Sequence, residues 1–297
     1  MSLLTRIKHV YEHQYKRLLI FPFLLLILAV AQIAVQYSVT GDFVHKGVSL
    51  RGGSTITIDY HESVSPLVLE AELQQEFPEA DISLRTLTST GRPIGYSIES
   101  NIQNKEDINN FFKVLSTKVS LKEGTYSIEV IDSSLGSSFF LETGLALLIA
   151  FLLMAMVVFI YFRMLVPSLS VILVAFSDIV TTLAIFNLTG SKLSTGGVAA
   201  FLMLVGYSVD TEMLLNSKVL KQPQSIFMKQ IYGAIGTGMT MTLTVLVAVF
   251  VALIFVNNDL VRQIMLILFI GLLVDMVNSW IMNVGILRWH LEKKEKK

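Results

Sequence analysis

Six stretches of this sequence are long enough and apolar enough to cross a lipid bilayer. A helix needs about 20 mostly apolar residues to span the hydrocarbon core. The six are Leu18–Tyr37, Leu141–Tyr161, Pro167–Asn187, Gly197–Asn216, Gly233–Val256 and Arg262–Leu287. Composition agrees: 53% of the 297 residues are hydrophobic and 15% are charged, against about 25% charged in soluble domains. The first stretch imitates a secretion signal, with Arg17 ahead of an apolar run and a small-x-small Ala29-Val30-Ala31. The run continues through Ile33, Ala34 and Val35 behind a long polar leader, so an uncleaved span is expected.

Lys and Arg collect in short loops on the cytoplasmic side. The leader, the loop at Arg163, the loop carrying Lys218, Lys221 and Lys229, and the tail from Arg288 hold thirteen of them. The opposite short loops hold Lys192 and Arg262. Both termini are therefore expected in the cytoplasm. The division is then 1–37 for the N-terminus and first helix, 38–140 outside, 141–287 for helices two to six, and 288–297 for a basic tail.

Residues 38–140 have the composition of a soluble domain. Ser49–Tyr60 ends in two-residue alternation, a strand signal. Pro66–Phe77 reads as a helix with Leu67, Leu69, Leu73 and Phe77 inward. Asp81–Thr88 and Pro93–Glu99 read as strands joined at Thr90-Gly91-Arg92. Asn104–Val119 is a second helix with Ile108, Phe111, Phe112, Leu115 and Val119 on one face, and Thr125–Ile131 a last strand. The order βαββαβ packs as a ferredoxin-like sandwich. The fold class is a membrane all-α protein of six transmembrane helices, with this α+β ferredoxin-like domain, extracytoplasmic, between helices 1 and 2. His45 and His61 have no metal-ligand spacing around them and read as surface histidines.

Charged side chains inside a membrane are costly and mark function by default. Asp178, Asp210 and Asp275 lie in the third, fourth and sixth stretches. The midpoints fall at about residues 177, 207 and 274, so at about 1.5 Å per residue the three acids sit within roughly 5 Å of one another in depth. Each lies on a small or polar stripe at helical spacing. In the sixth span the stripe is Gly271, Asp275, Asn278, Met282 and Gly285; in the fourth it is Met203, Gly206, Tyr207, Asp210 and Leu214. The fifth span has Gly233, Thr237, Thr240 and Thr244 on one side. Such residues allow close helix approach and interhelical hydrogen bonds. With no Lys or Arg inside these spans, the acids are either neutral or paired with a cation from another subunit. An acid near the midplane suits a proton-coupled machine; the alternative is a neutral carboxyl that only packs helices. Glu142 and Glu212, near span ends, read as solvated.

Several classes are excluded. The 23 basic residues balance the 23 acidic ones, leaving no excess charge for nucleic acid. With no cysteine there is neither a disulfide frame nor a thiolate nucleophile or metal site. There is no Walker A segment and no H-E-x-x-H. No enzyme activity, metal or cofactor is expected.

The sequence then resembles a known family. One span, an external domain and five further spans with an acidic fourth resemble SecF of the resistance-nodulation-division superfamily. Gly47-Val48-Ser49-Leu50-Arg51-Gly52-Gly53 is similar to the family motif after the first span. Gly206-Tyr207-Ser208-Val209-Asp210-Thr211 is similar to its fourth-span motif, and Thr237-Gly238-Met239-Thr240-Met241-Thr242-Leu243-Thr244 to its fifth-span motif. Gly271–Leu287 resembles the sixth span of archaeal members. Many bacterial members carry an Arg in the fifth-span motif, where this chain has Met239 and Met241; Ile131–Ser138 also lacks the usual V-G-P.

The resemblance implies a multi-pass protein of the cytoplasmic membrane that acts with SecD and a SecYE-type channel on a translocating polypeptide. It implies use of an ion gradient, that of protons, with Asp210 as the main coupling site and Asp178 and Asp275 assisting. Tyr207, Gly206, Thr211, Thr237, Thr240, Thr244 and Asn278 would support them. A half-transporter exporting lipids or small hydrophobic molecules, and a membrane scaffold without transport, remain as alternatives.

Overall fold

The computed structural model describes residues 11–59, 65–89, 92–119, 121, 126–220, 227–256 and 258–295. Tyr60, His61, Thr90, Gly91, Thr125 and the basic residues Arg6, Lys8, Lys221, Lys296 and Lys297 lie outside the described residues.

Six helical stretches are long and apolar enough to cross a membrane. The first comprises α1 (Tyr15–Leu18) and α2 (Ile20–Thr40). Between it and the second lie α3 (Val48–Arg51), β1 (Gly53–Asp59), α4 (Pro66–Glu76), β2 (Ser83–Ser89), β3 (Arg92–Ser100), α5 (Lys105–Lys118) and β4 (Tyr126–Ile131). The other spans are α6 (Ser133–Phe162), α7 (Leu165–Leu188), α8 (Thr195–Leu220), α9 (Phe227–Phe255) and α10 (Asp259–Val277). The last continues through a π-helical segment, Asn278–Asn283, into α11 (Val284–Glu295). A π-turn is an inserted residue in an α-helix and often marks a functional position.

The four strands pair antiparallel in the order β2-β3-β1-β4. Alternation puts Ile56, Ile58, Leu84, Tyr96 and Ile98 on one face. That face is covered by Leu69 and Leu73 of α4 and by Phe111 and Leu115 of α5. Asn104 caps α5 by accepting from the Glu106 N–H at 3.3 Å. Two expectations change. Leu67 is 80% exposed, because Leu69 and Leu73, four residues apart, define the inner face and Leu67 falls off it. The stretch read as a strand from Ser49 begins as the helical turn α3, and β1 starts only at Gly53.

The second span also starts earlier than its apolar run. Asp132 accepts from the Ser134 N–H at 2.7 Å and from its hydroxyl at 2.6 Å. These bonds favour the ionised form and hold the Asp132 carboxyl below the usual carboxylate range. The cap begins α6 at Ser133, ahead of Leu141, so β4 passes almost directly into the span.

The helices are unequally enclosed. In α7, 56% of the most apolar window is buried within the chain, against 6% in α6, so α7 is central and α6 peripheral. Helix α10 packs on α7, α8 and α9, while α2 packs on α7. A large apolar cluster joins Phe186, Leu193, Phe201, Leu204, Ile267 and Leu272 near the α7–α8 loop, and a second, with Leu215, Ile231, Trp280 and Leu287, lies toward the other end.

The segment after the first span ties the α+β domain to the bundle. The His45 carbonyl accepts from the Leu193 N–H at 2.6 Å, and the Leu193 carbonyl from the Gly47 N–H at 2.8 Å. Asn187 Nδ2 donates to the Phe43 carbonyl at 2.9 Å, and the Thr195 N–H to Ser49 Oγ at 3.2 Å. Asp81 meets Lys192 at 3.1 Å and Arg51 at 3.3 Å. His45 is half-buried rather than a free surface residue, with its Nε2 2.7 Å from Gln36 Nε2. Gly52, at φ 86° and ψ 165°, has backbone angles that side chains other than glycine's rarely allow. A Cβ there would lie 2.5 Å from the Ser133 Cα.

Candidate functional site: a buried acid cluster and an exposed polar face

The fourth span carries two polar stripes on opposite sides. Residues two apart on an α-helix are separated by about 200°, so Asp210 and Glu212 cannot face the same way. The structure turns Glu212 inward, where it is fully buried, and Asp210 outward. The reading of Glu212 as a solvated end residue is therefore corrected. The three aspartates do not meet: Asp178 and Asp275 do, and the third carboxylate beside them is Glu212. The four-residue spacing of Ser208, Glu212 and Asn216 could have revealed this face, since all three are fully buried.

Within the cluster, Asp178 receives hydrogen bonds from Ser208 Oγ at 2.6 Å and Asn278 Nδ2 at 2.7 Å. The Asn278 amide also donates to Ser177 Oγ at 3.0 Å. Asp275 accepts from Ser279 Oγ at 3.2 Å. Asp178 and Asp275 are thus held by adjacent residues of the π-helical segment, Asn278 and Ser279. Glu212 lies one turn along α8 from Ser208, on the same buried side. Both Glu212 oxygens and Asp275 Oδ2 have no hydrogen-bond partner. Asn278, expected as a supporting polar residue, thus contacts an acid directly. Its place at the start of the π-helical segment sets the direction of that contact.

The second face is outward. Gly206 and Asp210 of α8 are exposed, as are Gly233, Gly236, Thr237, Thr240 and Thr244 of the neighbouring α9. Tyr207 is half-buried against the large apolar cluster, and Thr211 is buried, donating to the Tyr207 carbonyl at 3.3 Å. The threonine hydroxyls donate to carbonyls of their own helix: Thr237 to Gly233 at 3.0 Å, Thr240 to Gly236 at 2.8 Å and Thr244 to Thr240 at 2.7 Å. Lys218 joins the two helices, donating to Thr237 Oγ1 at 2.8 Å and the Gly233 carbonyl at 3.2 Å. Asp210 forms no hydrogen bond or ion pair among the described residues. A shallow hollow, open to the outside, runs along Gly236, Thr237, Thr240, Met241 and Thr244.

Comparison with known proteins decides the family. The profile of the family described as protein export membrane protein SecD/SecF, C-terminal, matches residues 111–293. The protein-export membrane protein SecF of Pyrococcus furiosus is 33% identical over 98% of this chain and 96% of its own length. This chain belongs to the SecF family. The SecF of Methanolacinia petrolearia is 35% identical over 95% of this chain and 96% of its own length. Among solved structures, SecDF of Thermus thermophilus, described as a translocon-associated membrane protein, superposes with a TM-score of 0.72 at 17% identity. It covers 93% of this chain, which spans only 38% of that longer one. A second SecDF structure, in a super-membrane-facing form, superposes less closely, at a TM-score of 0.53. These two likenesses carry the fold. The Gly47–Gly53 segment, with Gly47, Arg51, Gly52 and Gly53, lies where the α+β domain joins the bundle, Gly47 bonded to Leu193 and Gly52 packed against Ser133.

Proposed function

We propose that this chain is an accessory subunit of the Sec protein-translocation machinery, working with a SecD-type subunit to promote export of polypeptides across the cytoplasmic membrane. The observation that carries the reading is Asp210: a carboxylate exposed at mid-span, on a stripe of glycines and threonines, without a cation among the described residues. Lipid is a poor neighbour for such a stripe, whereas small residues are what a second helical subunit packs against. A SecD-type subunit is the proposed occupant, supplying the partner for Asp210. The SecYE-type channel and the translocating polypeptide complete the assembly.

In this reading both termini are cytoplasmic and residues 38–140 face outward as a ferredoxin-like domain, its sheet order and two helices on one face being in keeping with that fold. The domain handles polypeptide while the spans draw on the proton gradient. Asp210 is the main coupling site, with Asp178, Asp275 and Asn278 assisting from inside the bundle. Replacing Asp210 with Asn tests it: gradient-dependent export should be lost while co-purification with the SecD-type subunit persists. Normal export by that variant would sink the proposal.

A further inference from the structure

Asp178 and Asp275 present a problem of charge. Both are buried and bonded to adjacent residues, Asn278 and Ser279; carboxylates so placed cannot both be ionised away from water, and among the described residues no Lys or Arg reaches them. Donors are also too few. Ser208 and Asn278 serve Asp178, and Ser279 serves one oxygen of Asp275. Asp275 Oδ2 and both oxygens of Glu212 have none, although Glu212 is fully buried. Unpartnered acceptors of this kind are costly in a protein interior. Something positive that hydrogen-bonds to oxygen must belong here.

We propose that Asp178, Asp275 and Glu212 form a proton-binding site inside this subunit, in which Glu212 and one of the two aspartates are protonated. Protonating one aspartate removes the repulsion between two buried charges, and a protonated Glu212 gains an O–H donor and loses a charge that nothing around it balances. Both protons come from water and return to it, so no other reactant is needed.

The surroundings give the site a direction. Toward the end of the bundle that carries Arg163 and Lys218, buried polar side chains continue: Asn283 donates to Asn216 at 3.4 Å and accepts from Ser170. Toward the external end, beyond Thr181 and Thr182, the interior becomes the apolar cluster of Phe186, Leu204 and Leu272. In this conformation, protons therefore exchange with the Arg163 end. The π-helical segment is the lever, because Asn278 and Ser279, the donors to the two aspartates, both belong to it. Other titratable groups on the packed elements lie away from the cluster: Asp210 faces outward on α8, Glu142 is exposed on α6, and Lys229 and Tyr232 belong to the first turns of α9.

This assignment deepens the gradient-driven reading and rests on it only for the use made of the protons; protonation itself is read without export. Infrared spectra of the full chain in lipid nanodiscs, in H2O and D2O across pH, provide the test. A carbonyl band of protonated carboxyl should persist at neutral pH and shift in D2O. It should shrink in Glu212→Gln, vanish in Asp178→Asn/Asp275→Asn/Glu212→Gln, and stay unchanged in Glu142→Gln. Absence of the band from the unsubstituted protein overturns the proposal whether or not the variants fold, and so does its survival in the triple variant. Ionised carboxyls together with a melting temperature raised by sodium chloride but not choline chloride would overturn it in favour of a sodium site. If Asp210→Asn exports normally while the band behaves as stated, the export reading falls and the proton site stands.

Discussion

Replacing Gly52 with Ala separates two things the joint requires, a backbone conformation and a close approach. At φ 86° and ψ 165° an L-residue costs about 1–3 kcal/mol. The new Cβ would also lie 2.5 Å from the Ser133 Cα and 2.6 Å from the Ser133 nitrogen. Those are backbone atoms at the start of α6 and cannot swing aside as a side-chain tip can, so overpacking adds about 1–3 kcal/mol. Gly41 is the matched control. It caps α2 at φ 75° with nothing within 4 Å of a built Cβ, so Gly41→Ala carries a left-handed penalty of about 1–2 kcal/mol and no clash. The difference between the variants is the close approach, a change of about 5- to 150-fold in the docking equilibrium constant at 1.4 kcal/mol per tenfold. The chain contains no cysteine, so Asp81→Cys with Lys192→Cys and a short bis-maleimide report docking directly. The ion pairs lost at Asp81 are half-exposed and worth about 0–1 kcal/mol each, which leaves docking intact in the parent. Gly52→Ala should lower the cross-linked yield at the joint and Gly41→Ala should not. Equal yields in the two variants would refute the close-packing account.

Two further perturbations probe the bundle. Gln263 holds the third-to-fourth span loop, donating to the Lys192 carbonyl at 2.6 Å and accepting from the Ser194 N–H at 2.8 Å. Gln263→Leu leaves those groups unpaired at about 1–3 kcal/mol each, and should lower both the unfolding midpoint in detergent and the Asp81–Lys192 cross-link; an unchanged midpoint would count against the clamp. A Cβ at Gly238 would lie 2.4 Å from the Trp280 ring, whereas one at Gly236 meets nothing within 4 Å. Gly238→Leu should destabilise the fifth-to-sixth span contact by about 1–3 kcal/mol and alter tryptophan emission, with Gly236→Ala near neutral; matching melting curves for the two would contradict the packing.

Much of the α+β domain was legible from local pattern. Phe111 and Leu115 at helical spacing, and Ile56 with Ile58 at strand spacing, are inward as their periodicity implies. Leu67 was misplaced because periodicity in a short helix allows two phases, and only the sheet beneath selects one. The sites were less legible. In a span nearly all of whose residues are apolar, hydrophobic periodicity no longer distinguishes inside from outside. The phase must then come from the neighbours, which is why the stripe through Asp210 was picked out and the buried face through Ser208, Glu212 and Asn216 was not.

The apolar runs of the sequence by themselves determined that this chain has six spans, and its loop charges suggested which ends share a side. The reason is thermodynamic: a backbone in hydrocarbon must satisfy its own hydrogen bonds, so about 20 apolar residues form a helix whatever lies beside them. What those helices present to one another depended on the tertiary structure. Rotation about a helix axis costs an apolar span little in lipid, and it is packing of α7, α8 and α10 around Asn278 and Ser279 that brings Asp178, Asp275 and Glu212 together and leaves Asp210 facing out.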